Sequence, residues 1–496
     1  MDQTPLNAVD SDAPGSNQLD VAGFRVETDS LGSLPVPATA YWGIHTARAL
    51  ENFAISDRPI SVYPDLVHAL GAVKRATART HAEIGTMDAE KALLIETAAD
   101  EVRRGLWDEQ FVVDIVQGGA GTSTNMNANE VIANRALEIA GHARGDYSRI
   151  HPIDDVNRGQ STNDVYPTAL KIALCTGIAR LIGELDALGL AFKAKGQEFW
   201  DVVKIGRTQL QDAVPMTLGQ EFTGFSVTIA EDCLRLAETI PLLCEINLGA
   251  TAIGTGITAH PLYAAAVSRH LREITGLPIT TATDLVEATS DTGVYMTVSG
   301  VLKRSAIKLS KICNDLRLLS SGPQAGFAEI TLPPRQAGSS IMPGKVNPVI
   351  PEVVNQVAFS IAGNDVTVTL AAEGGQLQLN AFEPIMAQAL LQNLRWLGNA
   401  CRALRLYCVE GIGANRDRLA SAAHVSVSVV TALAPAIGYH MAATLAKQAL
   451  ASGRPVAELA VEAGLLSEEN VNQYLMIDAL TGRRRDGQVT TTQGSE

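Results

Sequence analysis

The stretch "AGSSIMPGKVNPVIPE", residues 337–352, carries the most information about how this chain folds. It places two adjacent serines, Ser339 and Ser340, before a Pro-Gly pair, which is followed by Lys345 and Asn347. Pro-Gly pairs mark turns and loops, so we predict a loop that can change conformation. A proline follows Asn347, and proline is favoured at the first position of a helix. A helix is therefore predicted to begin directly after this residue, with Lys345 and Asn347 at its positive end.

Outward from this loop, five long segments repeat apolar residues at helical spacing. Long helices need neighbours to bury their apolar stripes, which indicates a bundle of long antiparallel helices. The apolar positions cover more than one face, so we expect burial by further helices, including helices from other subunits. The five segments are 163–200, 217–247, 295–321, 348–375 and 379–411.

The 496 residues exceed the size at which a single core stops growing, so several domains are expected. The fold class is predicted to be mainly α. Residues 24–45 are rich in Pro, Gly and Thr and indicate loops with a short strand or two, and helices shorten again after residue 411. The predicted domains are a disordered acidic tail (1–23), a mixed and mostly helical N-terminal domain (24–160), the long-helix bundle (161–411) and a small helical C-terminal domain with a frayed end (412–496).

Composition limits the classes of partner and the compartment. Lys and Arg total 39 against 53 Asp and Glu, giving a net charge of −14, which argues against nucleic-acid binding. The start of the chain lacks the basic and apolar regions of a signal peptide, and residues 425–446 favour a buried helix pair over a membrane span. We expect a cytoplasmic protein. The six cysteines lack metal-binding spacing and are predicted to be reduced core residues: Cys175, Cys233, Cys244, Cys313, Cys401 and Cys408.

Four polar loops each end at a predicted helix start: 119–125, 159–168, 206–220 and the opening loop. Taken singly, each loop is explained by helix capping, and Thr217 with Gln220 fits a capping box. Taken together, helix N-termini with hydroxyl donors form anion sites without requiring net positive charge. The set predicts a site for a small molecule with two anionic groups.

Other site types are excluded by their motifs. The opening loop departs from a P-loop because five residues separate Gly338 from Gly344 and because Val346 replaces the required Ser or Thr. The stretch "GAGTST" lacks the third glycine of a dinucleotide fingerprint. No HExxH or GxSxG sequence exists, and the histidines are scattered. We predict no metal site and no cofactor requirement, and leave activation by magnesium open.

The stretch "GSSIMPGKVNP" resembles the signature loop of the aspartase/fumarase superfamily. The resemblance extends from about Phe24 to Tyr474 and includes "AGTSTNMNANEVIANRA", "VNRGQSTNDVYPTALKIA" and "GRTQLQDAVPMTLGQEF". It implies a three-domain fold and a homotetramer with a twenty-helix core, in which three subunits contribute to each active site. It also implies anti elimination from a succinyl-type substrate to give fumarate.

Within the superfamily, the sequence is more similar to the aspartate ammonia-lyases than to the fumarases. Fumarases carry a histidine where this chain has Gln209, and tend to carry Ala-Gln where it has Ile44-His45. The resemblance therefore implies interconversion of L-aspartate with fumarate and ammonia. Three alternatives stay open: a class II fumarase, a lyase for a substituted aspartate, and a non-catalytic helical scaffold of the same fold.

Roles are carried over position by position from this resemblance. Ser339 would be the base that removes a proton beside the distal carboxylate, giving an enediolate. The residues that would bind this carboxylate and its enediolate form are Thr122, Ser161, Thr162 and Ser340. Those that would bind the other carboxylate are Thr208, Lys345 and Asn347. Asn163 would bind the amino group, assisted by the carbonyl oxygen of Gln209.

One departure affects proton transfer. Some members pair a histidine at the position of Gln209 with the glutamate at Glu352, and this chain cannot form that pair. A neutral amide cannot act as a general acid, so we expect the amine to leave with help from hydrogen bonds or water. The role of Glu352 stays open.

Overall fold

The computed structural model describes residues 23–338 and 340–482. The predicted acidic tail, apart from Gly23, and residues 483–496 of the predicted frayed end lie outside the described residues. The chain divides into two compact units. Unit 1 contains Met1–Ala173, Cys244–Asp291 and Gly374–Gln388, and unit 2 contains Leu174–Leu243, Thr292–Glu373 and Ala389–Glu496. The three predicted domain boundaries stay predictions.

Helices dominate both units, as the fold class predicts. In chain order, the α-helices of the described residues are α1 (Ile44–Asn52), α2 (Pro64–Glu83), α3 (Ala89–Arg103), α4 (Thr122–Ile139), α5 (Thr162–Glu198), α6 (Leu218–Ala237), α7 (Ile240–Leu243), α8 (Tyr263–Thr275), α9 (Leu285–Ser290), α10 (Gly293–Leu319), α11 (Val349–Glu373), α12 (Glu383–Tyr407), α13 (Arg416–Val425), α14 (Val430–Ile437), α15 (Tyr439–Ser452), α16 (Val456–Glu462), α17 (Glu468–Tyr474) and α18 (Ile477–Leu480).

Strands are short and form two-stranded sheets. They are β1 (Phe24–Asp29), β2 (Gly32–Pro37), β3 (Val203–Thr208), β4 (Gln211–Thr217), β5 (Glu245–Ile246), β6 (Thr280–Thr281), β7 (Ile330–Thr331) and β8 (Gly413–Ala414). The pairs β1–β2, β3–β4 and β7–β8 are antiparallel, whereas β5–β6 is parallel. The β1–β2 hairpin confirms the strands predicted near the N-terminus.

The five long helices predicted from apolar periodicity are present as α5, α6, α10, α11 and α12. The second of them ends at Ala237, well before the predicted end near residue 247. Pro241 explains the early end, because it has no N–H for the carbonyl of Ala237 and its ring would clash there. The helix pair predicted over residues 425–446 is confirmed as α14 and α15.

One local prediction was wrong. Residues 206–220 were interpreted as a loop, but most of them belong to the β3–β4 hairpin. The turn residues Gln209 and Leu210 are not the Asn-Gly or Asp-Gly pair that identifies a tight hairpin turn. Both have positive φ, 54° and 63°, which is uncommon for residues other than glycine, so the residue types do not predict this turn.

Unit 1 is built around α2, which packs against α3 and α8. Its fully buried apolar residues include Leu66, Leu70 and Val73. The turn between α2 and α3 ends at Asp88, whose carboxylate accepts hydrogen bonds from two backbone N–H groups of the first turn of α3. This cap satisfies backbone N–H donors that the start of α3 would otherwise leave without a partner. It therefore stabilises the start of α3, which packs against α2.

Unit 2 is built around α10, which packs along α11 and α6. Leu302, Leu309 and Leu316 follow one face of α10 and are buried, whereas α14–α17 enclose a smaller apolar cluster that includes Leu433 and Leu445. The six cysteines all lie among the described residues and form no disulfide bonds, and all but the half-buried Cys233 are buried, as predicted.

Among the described helices, only α5 is long and apolar enough by itself to cross a membrane, judged by length and composition. Of its most apolar stretch, 78% is buried inside the protein, which is typical of a core helix. The bent pair Arg416–Val425 and Val427–Ile437 meets the same criterion only when it is counted as one span.

Candidate active site

The first polar loop ends at the N-terminus of α4, where Gly121 adopts a left-handed conformation with φ 88°. A side chain at this position would overlap the ring of Tyr166, which is fully buried. The loop therefore requires glycine here. Thr122, the first residue of α4, is exposed, and its Oγ1 donates a 2.7 Å hydrogen bond to the carbonyl of Gly119. In this conformation the hydroxyl proton of Thr122 is held by the loop.

The second polar loop ends at the N-terminus of α5 in reciprocal hydrogen bonds. Ser161 Oγ accepts the N–H of Asn163 at 3.2 Å, and Asp164 Oδ1 accepts the N–H of Ser161 at 3.0 Å. This arrangement resembles a capping box, so the capping interpretation is correct for this loop. A hydroxyl that accepts through a lone pair keeps its proton for another partner. Capping and anion binding are therefore compatible at Ser161.

Asn163 is oriented by the segment that follows β5. Its Nδ2 donates to the carbonyl of Ala252 at 2.7 Å, which leaves Oδ1 as the free end of the amide. Pro167, four residues later in α5, cannot supply the usual helical N–H to the carbonyl of Asn163. Asn247 Nδ2 supplies a hydrogen bond to that carbonyl instead, at 3.0 Å. The amide of Asn163 is thus held at both its backbone and its side chain.

Asp164 fastens the same segment to α5. Its Oδ2 accepts hydrogen bonds from the N–H groups of Gly249, at 3.1 Å, and Thr251, at 2.9 Å. The carboxylate is fully buried, and burial raises its pKa to about 7, although these N–H groups and the nearby Lys74 act in the opposite direction. The start of α5 therefore depends on a carboxylate that has no contact with water.

Lys74, from the middle of α2, lies fully buried beneath the two helix starts. Its Nζ donates to Asn157 Oδ1 at 3.0 Å and to Gln160 Oε1 at 2.9 Å. Burial lowers its pKa to about 7, and the charge of Asp164 partly opposes this shift. Asn125, from the first turn of α4, donates to Asn157 Oδ1 at 3.1 Å. One buried network thus joins α2, α4 and the loop that precedes α5.

The third polar segment places Thr208 and Gln209 at the tip of the β3–β4 hairpin. Both residues are exposed, and Leu210 beside them is 64% exposed. Two successive non-glycine residues with positive φ are unfavourable, and such strain is typical of functional sites. The tip is therefore positioned by its backbone turn rather than by side-chain packing.

The base of this hairpin is anchored by buried charges. Lys204 on β3 is 2% exposed and forms ion pairs with Glu221 at 2.8 Å and with Glu329 at 2.7 Å. Arg207 also pairs with Glu329, and its guanidinium lies 4.3 Å from the ring centre of Phe327. The hairpin is thus held firmly at its base and weakly at its tip.

The serine loop, defined as residues 337–347, leads into α11. Its ends meet, because Asn347 Nδ2 donates to the carbonyl of Gly338 at 2.7 Å and a side chain at Gly338 would overlap the backbone of Lys345. The loop borders a pocket of about 560 Å³. Ser340 and Lys345 are exposed, and the Lys345 ammonium has no salt-bridge partner among the described residues.

The predicted site residues therefore fall into two groups. The α4–α5 group lies in unit 1 and contains Thr122, Ser161, Thr162 and Asn163. The two helix starts are linked by a hydrogen bond from Asn125 Nδ2 of α4 to Thr162 Oγ1 of α5, at 3.0 Å. The hairpin–loop group in unit 2 contains Thr208, Gln209, Ser340, Lys345 and Asn347. Ser339, the predicted base, lies outside the described residues. Glu352 is half-buried in the first turn of α11. Across residues 23–338 and 340–482, no group of three or more His, Cys, Asp or Glu residues could hold a metal ion.

Comparison with known families identifies the chain. The model of the family described as "Lyase" matches residues 32–363, and that of "Fumarase C C-terminus" matches residues 429–482. The chain belongs to the aspartase/fumarase superfamily. The starts of α4 and α5 and the serine loop all lie within the matched range 32–363.

Curated relatives in this superfamily match almost end to end. The aspartate ammonia-lyase of Pseudomonas aeruginosa is 55% identical over 94% of this chain and 98% of its own length. Its namesake from Escherichia coli is 50% identical over 92% of this chain and 96% of its own length. These relatives confirm the prediction that the chain is an enzyme of the carbon–nitrogen lyase class.

Solved structures of superfamily members match the fold. A fumarate lyase:delta crystallin from Brucella melitensis, bound to cobalt, has a TM-score of 0.90 at 54% identity, covering 93% of this chain and 100% of that one. A class II fumarase from Schistosoma mansoni has a TM-score of 0.87 at 34% identity, with the same coverage. The predicted fold class is confirmed.

Sequence reasoning missed the residues beneath the α4–α5 group. Lys74, Asn125, Asn157 and Asp164 lie in helices or next to loops and were not predicted to matter. One signal was available, since the stretch "TNMNANE" places three asparagines in the first turns of a helix, where asparagine has low propensity. Buried amides at such positions indicate a polar network.

Proposed function

We propose that this protein is an aspartate ammonia-lyase, which converts L-aspartate to fumarate and ammonia by a reversible anti elimination. The relatives that match nearly the whole chain carry this name. The substrate of this reaction presents two carboxylates and one ammonium group.

The main structural support for this proposal is the orientation of the Asn163 side-chain amide. An ammonium group has only donors, so its binding residue must present an acceptor. Asn163 Nδ2 is occupied by the carbonyl of Ala252, and the amide therefore offers Oδ1. Among the described residues, no donor lies within hydrogen-bonding distance of this oxygen. A water-derived leaving group would need an acid instead, which a neutral amide cannot provide.

The α4–α5 group supplies donors for the distal carboxylate. Ser161 and Thr162 lie at the N-terminus of a long helix, where the dipole favours negative charge. Thr122 joins them when its hydroxyl rotates away from the carbonyl of Gly119. Hydrogen bonds from these hydroxyls strengthen as the carboxylate becomes an enediolate, and each such donor is typically worth about 3 kcal/mol.

The proposed base is Ser339. It takes the proton from the carbon beside the distal carboxylate, and the electron pair of that C–H bond enters the enediolate. The C–N bond then breaks, the pair returns to form the double bond of fumarate, and nitrogen leaves as ammonia. Lys345, which has no acidic partner among the described residues, would hold the other carboxylate with Thr208 and Asn347. Its charge also favours the serine alkoxide.

Gln209 distinguishes this proposal from fumarate hydration. At the tip of the β3–β4 hairpin it presents an amide in place of the histidine of fumarases. Ammonia is a better leaving group than hydroxide, so departure needs hydrogen bonds rather than a strong acid. We propose that Gln209 supplies one of these through its carbonyl oxygen, and that no cofactor takes part.

The proposal includes a cytoplasmic homotetramer whose active sites are shared between three subunits. Several large apolar residues of α11 are exposed in the isolated chain, notably Phe359 at 64% and Leu370 at 65%. A patch of this kind is typical of an interface. Light scattering should give a mass about four times the 52.4 kDa of the chain.

Fumarate formation from L-aspartate, followed by ultraviolet absorbance beside L-malate, tests the reaction. We expect turnover of L-aspartate alone. The Ser339→Ala variant should lose at least about 10⁴-fold in kcat because the base is absent, whereas Ser340→Ala should lose about 10²-fold, the cost of one donor. The two variants change neighbouring serines of the same loop and so control for its conformation.

Three results would change the assignment. Turnover of L-malate without L-aspartate would mean a fumarase and would contradict the role given to Asn163. Equal and small losses in the two serine variants would contradict Ser339 as the base. A wild-type protein that turns over neither substrate would favour the scaffold or a substituted aspartate.

A further inference from the structure

Asn125 forms a hydrogen bond to a predicted substrate-binding residue from inside the protein. It is 1% exposed, and its Nδ2 donates to Thr162 Oγ1 at 3.0 Å and to Asn157 Oδ1 at 3.1 Å. The carbonyl oxygen of its amide is buried and has no hydrogen-bond partner. An amide that leaves a buried oxygen unpaired to make these two bonds is strongly constrained by its surroundings.

The direction of the hydrogen bonds follows from Lys74. Its ammonium group can only donate, so the atom of Asn157 at 3.0 Å from Nζ must be the acceptor Oδ1. The group of Asn125 that faces this oxygen must then be its NH₂. That NH₂ also faces Thr162, so Thr162 Oγ1 must be the acceptor in the bond between them.

Loss of the lysine charge does not change this direction. A neutral lysine amine still has two N–H donors, and Lys74 has two amide acceptors, Asn157 Oδ1 and Gln160 Oε1. Asn129 Nδ2 adds a third donor to Asn157 Oδ1 at 3.2 Å. The acceptor character of this oxygen is therefore fixed by several groups.

Thr162 consequently has one lone pair occupied and its proton available. Among the described residues, no acceptor receives this proton. The helix start and Ser161 lie beside it, where the substrate carboxylate is proposed to bind. Because the Thr162 hydroxyl accepts the hydrogen bond from Asn125, its proton points away from Asn125 and is available to the substrate carboxylate.

We propose that Asn125 is a positioning residue for the elimination, which makes the hydroxyl of Thr162 a fixed donor to the substrate carboxylate and its enediolate form. The chain from Lys74 through Asn157 to Asn125 sets the direction of that donor before substrate arrives. This inference rests on the proposed function. Donors oriented in advance stabilise developing charge without reorganisation, which is the main source of electrostatic catalysis.

A double-mutant cycle tests the inference on the full-length enzyme with L-aspartate. Asn125→Ala should lower kcat/KM by about 10- to 100-fold, mainly through kcat, because the donor matters most in the transition state. Thr162→Val should lower it by about 10²- to 10³-fold. In the Thr162→Val background, Asn125→Ala should cost less than about threefold, because its target is gone.

Two further variants separate positioning from folding. Asn127 lies two residues away on α4, is fully buried, and bonds to Gln110 and Val112 rather than to the network. Asn127→Ala should lower thermal stability as much as Asn125→Ala while keeping kcat/KM within about twofold. Asn125→Asp should be worse than Asn125→Ala, since a carboxylate would accept the proton of Thr162 and turn its hydroxyl inward.

The outcomes distinguish failure of this inference from failure of the proposed function. Losses that multiply in the double mutant, with active wild-type enzyme, overturn the inference alone. Equal losses in Asn125→Ala and Asn127→Ala overturn it as well. A wild-type protein without ammonia-lyase activity overturns the proposed function and the inference with it. If Asn125→Ala does not fold, Asn125→Ser takes its place in the cycle, because a serine is too short to reach Thr162.

Discussion

The α4–α5 group and the hairpin–loop group are held in place in different ways. The first rests on fully buried side chains, Lys74, Asn125 and Asp164, whose hydrogen bonds fix its hydroxyls and amide. In the second, Thr208, Gln209, Ser340 and Lys345 are exposed, and the tip of the hairpin is held by strained backbone. Under the proposed function, the donors for the group that gains charge would be fixed in advance, whereas the residues for the other carboxylate would be free to adjust.

Among the variants that test this comparison, removal of the exposed cation Lys345 should have the largest effect. Lys345→Met should lower kcat/KM by about 10³-fold, equivalent to about 4 kcal/mol of transition-state stabilisation. Its side chain has no ion-pair partner among the described residues, so the melting temperature should not change. Steady-state kinetics and thermal unfolding measure the two quantities.

Lys447→Met, at an exposed position of α15, is the matched control and should change neither quantity. Lys345→Arg should recover part of the activity, since the charge remains but its geometry differs. A fall in melting temperature with Lys345→Met would mean that the serine loop is as firmly held as the α4–α5 group, and the comparison would fail.

Disturbance of the first group should instead unfold the protein. Gly121→Ala should lower the free energy of unfolding by about 3 kcal/mol, because it adds a left-handed alanine and overlap with Tyr166. Gly141 has a similar φ of 78° at the other end of α4 but open space around it. Gly141→Ala should therefore cost only about 1 kcal/mol. Denaturant unfolding measures the difference, and equal costs would contradict a rigid contact beneath Thr122.

A buried carboxyl group in unit 1 should also make the free energy of unfolding depend on pH. Burial raises the pKa of Glu383 from 4.5 to about 8, and the charge of Lys171 partly opposes this shift. Between these values the folded chain holds a proton that the unfolded chain releases, so the wild type loses stability as pH rises through this window. Relative to wild type, Glu383→Gln should gain on the order of 2 kcal/mol by pH 8.

Urea unfolding of both proteins at several pH values measures this gain. The two stability curves should be closest below pH 4.5, where Glu383 is protonated in both states, and should separate as pH rises. Parallel curves would mean that the carboxylate is ionised in the folded protein. Burial would then not determine the protonation state of Glu383.

The sequence was sufficient for the features that depend on local pattern. Apolar periodicity predicts α5, α10, α11 and α12, and the polar loops predict where helices begin. The capping box of Thr217 and Gln220 is present with both of its hydrogen bonds. These features follow from residues close together in the chain, so a single sequence contains them.

Features that depend on contacts between residues far apart in the chain could not be predicted from the sequence. The partners of Lys74 lie more than eighty residues further along the chain, in the loop that precedes α5. The orientation of the Asn125 amide depends on that contact. The backbone carbonyl of Asn163 likewise accepts a hydrogen bond from Asn247, 84 residues further along the chain. The role of Ser339 comes from a family resemblance and stays a prediction.

The smallest expected effect concerns the strained tip of the hairpin. Leu210→Gly should stabilise the protein by about 0.5 kcal/mol, because glycine adopts the φ of 63° at little cost, partly offset by the greater freedom of glycine in the unfolded chain. The same change should lower kcat/KM about two- to fivefold, since Gln209 would lose the rigid turn that orients its amide. Thermal unfolding and steady-state kinetics measure the two effects.

Leu377→Gly is a close control for this prediction. Leu377 also has a positive φ, 57°, and is 87% exposed, but it belongs to unit 1 and to neither group of site residues. It should gain similar stability with no change in kcat/KM. If both variants keep full activity, strain at the hairpin tip has no role in orienting Gln209. If Leu210→Gly alone loses activity while it gains stability, the strained turn is retained because the reaction depends on it.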